Sequence, residues 1–124
     1  MSKMVVGKEF TFDAAHHLPG YDGPCAKVHG HTYKLIVEVS GPPAKFKSEP
    51  YDGIICDFSD LKRVVENEII RWYDHSNMND LLAHPTAENI VNRISRTLLL
   101  FFKDTLERVR LYETPTSYAE WRKE

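Results

Sequence analysis

Residues 31–39 alternate between apolar and polar side chains, which is the pattern of a β-strand with one buried face. The apolar set is Tyr33, Leu35, Val37 and Val39, and the intervening set is Thr32, Lys34, Ile36 and Glu38. His29 and His31 enter this run two residues apart, and side chains at that spacing on an extended chain point to the same side. The sequence therefore predicts a strand whose buried face begins with two imidazoles that can both reach one metal ion.

A second alternating run covers residues 5–15 and predicts another strand. Three of its side chains share a face with His16. They are Phe10, Phe12 and Ala14. Pairing of the two strands would bring His16 to the same face of the sheet as His29 and His31. Three neutral imidazoles with an open fourth position are the pattern of a catalytic zinc, whereas structural sites normally have four ligands rich in cysteine. We therefore predict a Zn²⁺ site formed by these three histidines.

The density of histidines is the main argument for a metal. Four of the six histidines and one of the two cysteines lie within residues 16–31. A His-x-His pair at a strand edge is, by itself, more commonly structural or solvent-exposed than metal-binding. The addition of His16 and Cys25 favours a metal site, because packing does not require so many such groups. His17 would face the other side of the strand, and we interpret it as a polar residue at the rim.

Composition narrows the class of protein. The chain has 124 residues, 42% hydrophobic and 27% charged, so we expect a single globular domain over residues 1–124. The formal net charge is −2 without a basic block, so we expect no nucleic-acid partner. No apolar run reaches about 18 residues and no signal-peptide core is evident, so we expect a cytoplasmic protein without membrane contact. Cys25 and Cys56 are expected to be free thiols, with Cys56 buried.

Two helices are predicted after a short strand at residues 53–58. The first is capped by Asp57 or Ser59 and the second by Thr86. Their apolar positions recur at helical spacing and are Leu61, Val64, Val65, Ile69 and Trp72 in the first helix and Ile90, Val91, Ile94, Leu98, Phe101 and Phe102 in the second. All of these side chains are assigned to the core. The polar stretch 44–52 is interpreted as a surface connection.

A further long strand ends at Glu113, and residues 117–121 can close a hairpin behind it, which gives the order β-β-β-α-α-β-β. A carboxylate at the end of an apolar face is costly unless it meets donors, so Glu113 is either an ion-pair partner or a ligand contact. Asp74 and His75 lie in a polar loop between the helices. Such a pair commonly caps a helix, but it also orients an imidazole as a proton carrier.

Six motifs in this order resemble the 6-pyruvoyltetrahydropterin synthase superfamily. They are Phe12-Asp-Ala-Ala-His16, Cys25-x-x-x-His29-Gly-His31, Asp57-Phe58, Asp74-His75 with Asn79-Asp80, Pro85-Thr86-x-Glu88, and Glu113-Thr114. Their order and spacing over nearly the whole chain are specific, although no single motif is decisive. The three-residue gap between Cys25 and His29 is similar to the branch that forms 6-carboxy-5,6,7,8-tetrahydropterin, because pyruvoyl-forming relatives usually have a longer gap. A departure is His17, which stands where many relatives have arginine.

The resemblance implies an α+β T-fold, in which an antiparallel sheet carries two helices on one face. Copies of such a chain assemble into a closed β-barrel, usually as a homohexamer, which would satisfy the open edges of the sheet. Relatives place their pocket at a subunit boundary, so the resemblance allows Asp74 and His75 to serve the Cys25 of an adjacent chain. We therefore expect a monomeric variant to lose activity even when it keeps its zinc.

The resemblance also implies a zinc-dependent lyase acting on 7,8-dihydroneopterin triphosphate. The products would be 6-carboxy-5,6,7,8-tetrahydropterin, acetaldehyde and triphosphate, on the route to 7-deazaguanine nucleosides such as queuosine. Cys25 would be the base, and Asp74 would orient His75 as proton carrier. Glu113 would bind the pterin, with Thr86 a further candidate at the pterin edge. Candidate cations for the triphosphate are His17, Lys27 and Lys34.

Two alternatives stay open from the sequence. One keeps the fold and the zinc but forms 6-pyruvoyltetrahydropterin, or processes sepiapterin-like side chains. The other is a non-catalytic pterin- or metal-binding module in which Cys25 is merely a buried residue.

Overall fold

The structure is a computed structural model, and it describes residues 3–42, 50 and 52–124. Most of the surface connection predicted at 44–52 lies outside the described residues. Among the described helices, none combines the length and the apolar character needed to cross a membrane. Neither Cys25 nor Cys56 forms a disulfide, as predicted, and Cys56 is half-buried, like Cys25, instead of fully buried as expected.

Two long antiparallel strands form the centre of the sheet. Strand β1 covers Met4–His16 and β2 covers His29–Gly41, and they pair along their whole length. Both strands were predicted, and each extends slightly beyond its predicted range. Because the pairing runs to the very ends, it sets His16 directly opposite His29.

The sheet has five strands in the order β3-β1-β2-β4-β5. Strand β4 (Leu106–Thr114) pairs with β2, and β5 (Ser117–Arg122) closes the predicted hairpin. The edge strand β3 (Ser76–Asn77) is parallel to β1, so the sheet is mixed and departs from the wholly antiparallel expectation. This strand has only two residues. It follows the first helical segment directly, and it pairs with Ala14 and Ala15 near the end of β1.

Two helical segments cover one face of the sheet, as expected for an α+β T-fold. The first comprises α1 (Phe58–Val65), a π-helical turn (Glu66–Ile70) and the short α2 (Arg71–Tyr73). The second is α3 (Ala87–Phe102). Asp57 caps α1 by accepting a hydrogen bond from the Ser59 amide at 2.8 Å, and the predicted cap Thr86 accepts from the Asn89 amide at 3.1 Å.

The core lies between the helices and the helix-facing side of the sheet. Its buried side chains include Phe12, Tyr33, Leu35, Val37, Leu61, Val65, Ile69, Ile90, Ile94, Leu98, Val109 and Leu111. Each of the larger apolar side chains contributes about 1.5–3 kcal/mol by leaving water. The apolar periodicity of the strands and helices predicted this core correctly, apart from the two aromatic residues discussed next.

The assignment of Trp72 to the core is wrong, because this side chain is 61% exposed. The cause is the π-helical turn before it, whose wider winding adds a residue to the turn and rotates the following positions around the axis. Tyr73 takes the inward position instead and packs edge-on against Phe12, with ring centroids 5.8 Å apart. A sequence pattern based on regular α-helical spacing does not register this shift.

Phe101 is also wrongly assigned to the core, since it is 47% exposed. Helix α3 ends one residue later, and Lys103 turns the chain with a φ of 51°, so nothing on the described sheet covers that face of the last turn. Phe102 is half-buried and packs against the core, which agrees with its assignment.

The short strand predicted at 53–58 is absent from the structure. Gly53 adopts a φ of 87° in a turn, and Asp57 already serves as the cap of α1, so little extended chain remains between the turn and the helix. Ile55 nevertheless approaches the end of β2, where a side chain on Gly41 would meet it at 3.2 Å. These apolar residues therefore contribute packing and not a sheet strand.

Candidate active site

Three histidines converge at one end of the sheet. His16 ends β1, while His29 and His31 begin β2, and their ring centroids are 4.6, 4.8 and 5.0 Å apart in the three pairs. One ring nitrogen from each residue lies within 4.8 Å of those of the other two. The structure thus brings together the three side chains that the sequence analysis selected as metal ligands.

Main-chain carbonyls fix the orientation of two of these rings. His16 Nδ1 lies 2.8 Å from the Pro85 carbonyl oxygen, and His29 Nδ1 lies 2.7 Å from the Lys27 carbonyl oxygen. Because a carbonyl only accepts, each Nδ1 carries the hydrogen and each Nε2 keeps its lone pair. Metal-ligating histidines commonly donate their other ring N–H to a carbonyl oxygen in this way.

The two Nε2 atoms of His16 and His29 then face each other at 3.0 Å. Two lone pairs at that distance repel unless a proton or a cation lies between them. His31 Nε2 is buried nearby and has no hydrogen-bond partner among the described residues. Three inward-facing nitrogens to which no protein group donates a hydrogen bond fit a metal ion, and an all-imidazole set suits zinc.

The environment of His31 favours its neutral, ligand-competent form. Burial lowers the pKa of His31, an effect that the Glu113 carboxylate opposes and that the two neighbouring histidines reinforce. Tyr33 lies behind the cluster with its hydroxyl 3.4 Å from His16 Nδ1. Burial raises the pKa of Tyr33, so the phenol stays uncharged near neutral pH.

Glu113 stands beside the histidine cluster because β2 and β4 diverge at this end. Their pairing stops at Lys34 and Tyr112, which leaves His31 and Glu113 facing each other with 3.6 Å between Nε2 and Oε1. The gap opens into a cleft of about 550 Å³ lined by both of these residues. Of the two roles left open for Glu113, the structure shows a contact with a site histidine and also exposure to a cleft.

A larger cleft of about 690 Å³ lies on the other side of Glu113. Thr86, at the start of α3, also lines it, together with the edge strand β5. The two residues selected for pterin binding therefore share one cleft. The Thr86 hydroxyl is already occupied in part by its capping hydrogen bond.

Asp74 and His75 form a dyad at the end of α2. His75 Nδ1 lies 3.0 Å from Asp74 Oδ2, and the other carboxylate oxygen accepts a hydrogen bond from the Asp13 amide at 2.9 Å. This main-chain hydrogen bond is the largest cause that holds the pKa of Asp74 below its usual value. The His75 amide donates in turn to the Asp13 carbonyl at 2.6 Å, with His75 at a φ of 60°.

The dyad lies on the opposite face of the sheet from the histidine cluster. Asp13 and His16 are separated by an odd number of positions on β1, so their side chains point to opposite faces. The Asp13 carboxylate groups with Asp74 and His75 within 4.8 Å and accepts a hydrogen bond from Thr32 at 2.5 Å. The His75 side chain is 80% exposed. The dyad and the three imidazoles thus form two separate side-chain groups, although His75 and His31 both line one cleft of about 460 Å³.

Cys25 lies in the connection between β1 and β2, on a short 3₁₀ turn at Pro24–Ala26. Its carbonyl accepts a hydrogen bond from the Leu18 amide at 2.8 Å, which closes this loop. The thiol is half-buried and free, and its sulfur is not part of the three-nitrogen cluster. The structure thus leaves Cys25 available for a role other than that of a ligand.

The three candidate cations occupy different environments. Lys34 lines the 550 Å³ cleft and pairs with Glu9 at 3.2 Å. Lys27 is exposed, and its carbonyl is the group that holds His29. His17 is half-buried, and its main chain is bound by the Asn79 side chain. Lys34 is the one of these three that faces a cleft shared with the site.

The sequence analysis did not select several groups that hold the site residues in place. The carbonyls of Pro85 and Lys27 leave no trace in a side-chain pattern, since any residue supplies a carbonyl. Asp13 and Asn79 did fall inside the quoted motifs, but no role was assigned to them. The only indication in the sequence was that Asp13 and Asn79 lie within a few residues of candidate site residues.

The mixed sheet, the two helices on one face and the imidazole cluster at one end are features of a T-fold enzyme. Comparison with known proteins identifies the chain as a T-fold enzyme that acts on pterins. The model of the family described as 6-pyruvoyl tetrahydropterin synthase matches residues 5–124. The chain belongs to this family, and it is an enzyme of the tetrahydropterin synthase type of lyase. The sequence-based resemblance is thereby confirmed.

Individual relatives agree with this assignment. The 6-carboxy-5,6,7,8-tetrahydropterin synthase of Haemophilus influenzae is 38% identical, over 94% of this chain and 96% of that protein. A dihydroneopterin monophosphate aldolase of Pyrococcus furiosus is 36% identical over 71% of this chain and 68% of that protein. The solved 6-pyruvoyl tetrahydropterin synthase of Caenorhabditis elegans superposes with a TM-score of 0.83 at 22% identity, covering 100% of this chain and 98% of that one, which supports the fold.

Proposed function

We propose that this enzyme converts 7,8-dihydroneopterin triphosphate and water to 6-carboxy-5,6,7,8-tetrahydropterin, acetaldehyde and triphosphate. The bond between the first and second side-chain carbons breaks, and the first carbon becomes the carboxylate. The name and 38% identity of the Haemophilus influenzae relative support this choice of product. So does the three-residue gap between Cys25 and His29.

The observation that carries the proposal is the pair of facing lone pairs on His16 and His29. Their Nε2 atoms lie 3.0 Å apart while both Nδ1 atoms are committed to carbonyl oxygens. We propose that Zn²⁺ is held by these two nitrogens and by His31 Nε2. When bound, the ion supplies Lewis acidity toward the oxygens of the substrate side chain.

The protein groups divide the remaining work. Cys25 acts as the base that removes a proton from the side-chain carbon, and it requires a nearby cation because a free thiol is only a few per cent ionised near neutral pH. His75, oriented by Asp74 at 3.0 Å, returns protons during the internal redox shift. Glu113 accepts hydrogen bonds from the ring and amino N–H groups of the pterin. Thr86 contacts the pterin edge in the shared cleft.

Self-association completes the proposed site. Strands β3 and β5 lie at the two open edges of the sheet, where unpaired backbone groups invite pairing with another chain. We propose a homohexamer built from closed barrels, in which Asp74 and His75 approach the Cys25 of a neighbouring chain. The separation of Asp74 and His75 from the three-histidine group within one chain is compatible with this division between chains.

The proposed setting is the cytoplasm, on the route to 7-deazaguanine nucleosides. Two cysteines that form no disulfide suit a reducing compartment. Nucleic acid and membranes are not proposed as partners.

Product identification by mass spectrometry tests the proposal. Purified protein incubated with dihydroneopterin triphosphate should release acetaldehyde and 6-carboxy-5,6,7,8-tetrahydropterin. Formation of 6-pyruvoyltetrahydropterin without acetaldehyde would identify the second candidate, which the family name supports. Release of a two-carbon aldehyde that still carries the phosphate groups, by retro-aldol cleavage, would point to the activity named for the Pyrococcus furiosus relative.

Zinc content separates the enzyme proposals from a binding module. Gently purified protein should contain about one zinc per chain, as expected for one three-histidine site. His29→Ala should lose both zinc and turnover, whereas substitution of the exposed His84 should change neither. A wild-type protein with stoichiometric zinc but without turnover of any pterin triphosphate would support the non-catalytic module.

A further inference from the structure

Residues 74–79 lie along the end of β1, and we call this segment the strap. Main-chain contacts hold its central part, where the His75 amide donates to the Asp13 carbonyl at 2.6 Å and Ser76 and Asn77 form β3 against Ala14 and Ala15. A ladder of two residues is short for an edge strand, and the first and last contacts of the strap are made by side chains instead. The strap is therefore held to β1 at more points than its strand length suggests.

The carboxamide of Asn79 forms the contact at the end of the strap next to the metal site. The His17 amide donates to Asn79 Oδ1 at 2.9 Å, and Asn79 Nδ2 donates to the His17 carbonyl at 3.0 Å. One acceptor and one donor on the same group reproduce what a strand residue offers to its neighbour. Asn79 thus extends the ladder beyond β3 without adding a strand residue.

The position of Asn79 is itself fixed within the strap. Its own amide donates to Asn77 Oδ1 at 3.1 Å, and it lies in a 3₁₀ turn at Met78–Asp80 in which Met78 is fully buried. The Asn79 side chain is consequently presented by a packed turn and not by a free loop.

Asn79 binds the two peptide groups that flank His17, and the amide it accepts from belongs to the peptide that joins His16 to His17. Holding the amide of this peptide fixes the backbone torsion of His16, and with it the direction of the Cα–Cβ bond. The imidazole of His16 is then held at its outer nitrogen by the Pro85 carbonyl at 2.8 Å. These two contacts together leave the ring little freedom to turn away from His29.

We propose that Asn79 is a positioning residue for His16 and sets the metal affinity of the site. This inference rests on the metal site of the proposed function. Outer partners that orient a ligating histidine typically contribute about 10- to 100-fold to metal affinity. Removal of both hydrogen bonds in Asn79→Ala should weaken zinc binding by about that factor.

Zinc affinity is measured on metal-free protein by competition with a chromogenic chelator, and Co²⁺ absorption reports the ligand geometry. Asn79→Ser keeps a hydroxyl that can accept from the His17 amide, and its affinity should lie between those of wild type and Asn79→Ala. Asn67→Ala, on the exposed side of the first helical segment, is the chemically matched control. Ile94→Val is the stability control, because it costs about 0.5–1.5 kcal/mol in the core without touching the strap.

The outcomes separate this inference from the metal site itself. A fall in affinity for Asn79→Ala with wild-type values for both controls supports the positioning role. Unchanged affinity in a folded Asn79→Ala protein, or an equal fall in Ile94→Val, overturns it. If Asn79→Ala does not fold, Asn79→Ser decides in the same way. A wild-type protein that binds neither zinc nor Co²⁺ refutes the proposed metal site and not the role of Asn79 alone.

Discussion

His31 and Glu113 face each other where β2 and β4 separate, with 3.6 Å between Nε2 and Oε1. The carboxylate therefore lies next to the imidazole cluster and at the border of two clefts. Any ligand that meets both residues spans the end of the sheet. This relationship gives a chemical reason for a carboxylate at the end of an otherwise apolar strand face.

Glu113→Gln should impair catalysis more than metal binding. The amide keeps the shape of the side chain but loses the charge that strengthens hydrogen bonds to the pterin N–H groups. Loss of such a charged contact corresponds to about a 10- to 100-fold fall in kcat/KM. Steady-state kinetics with zinc analysis checks this, with the exposed Glu66→Gln as control. A variant that loses its zinc while kcat/KM per bound zinc is unchanged would contradict a pterin-binding role.

Cys25→Ala should abolish most turnover while the zinc stays bound. The sulfur is outside the three-nitrogen cluster, so its removal leaves the ligand set intact. Loss of a catalytic base costs about 10²- to 10⁴-fold in rate. The measurement is kcat together with zinc content, and Cys56→Ala is the matched control. Wild-type turnover in zinc-loaded Cys25→Ala would show that the thiol is not the base.

Mixed oligomers test whether the dyad serves a neighbouring chain. Cys25→Ala and His75→Ala should each be inactive alone. Co-assembled at equal amounts, they should regain about a quarter of wild-type activity if each site takes one residue from each of two chains. No recovery in verified mixed oligomers would place both residues in the site of a single chain.

The Glu120 carboxylate should stabilise the fold at neutral pH and not in acid. Burial acts to raise its pKa, but hydrogen bonds from Arg110 and Arg122 prevail and hold the pKa of Glu120 below its usual value. Because the folded-state pKa is the lower one, this contribution is present above about pH 4.3 and is lost as the pH falls through the folded-state pKa. The ion pair of Arg108 with the same carboxylate, at 3.4 Å, adds to it.

Glu120→Gln should therefore lower stability by about 1–2 kcal/mol at neutral pH, with a difference from wild type that shrinks in acid. Thermal unfolding at fixed protein concentration, near pH 7 and near pH 3.5, measures both values. Glu124→Gln at the exposed C-terminus is the control. A difference that is equal at both pH values would exclude the ionised carboxylate as its source.

The sequence was most informative where periodicity is long. Every second residue is buried over residues 10–16 of β1 and 33–39 of β2, and helix α3 carries a long apolar stripe, so their packing followed from the pattern. The convergence of His16 with His29 followed from the pairing of the two strand ends. These features are local patterns joined by one long-range pairing.

The rest depends on tertiary context. Strand β3 has two residues, which is too short to show any alternation, and the side chains of Asp74 and Asn79 on either side of it also bind β1 and the residue after it. The exposure of Trp72 depends on a π-helical turn that no residue pattern announced. The strand predicted at 53–58 does not form, because an apolar run of that length can also pack as an irregular segment.

The π-helical turn also constrains how this chain can change in length. If Glu66–Ile70 wound as a regular α-helix without losing a residue, everything after it would turn by about 100°, so Trp72 would rotate toward the core and Asp74 would leave the Asp13 amide that anchors it. Deletion of one residue within this segment compensates for the wider winding, because a regular α-helix then keeps the following side chains on the same faces. A relative with a one-residue alignment gap here is therefore expected to retain the geometry of the Asp74–His75 pair on a regular helix.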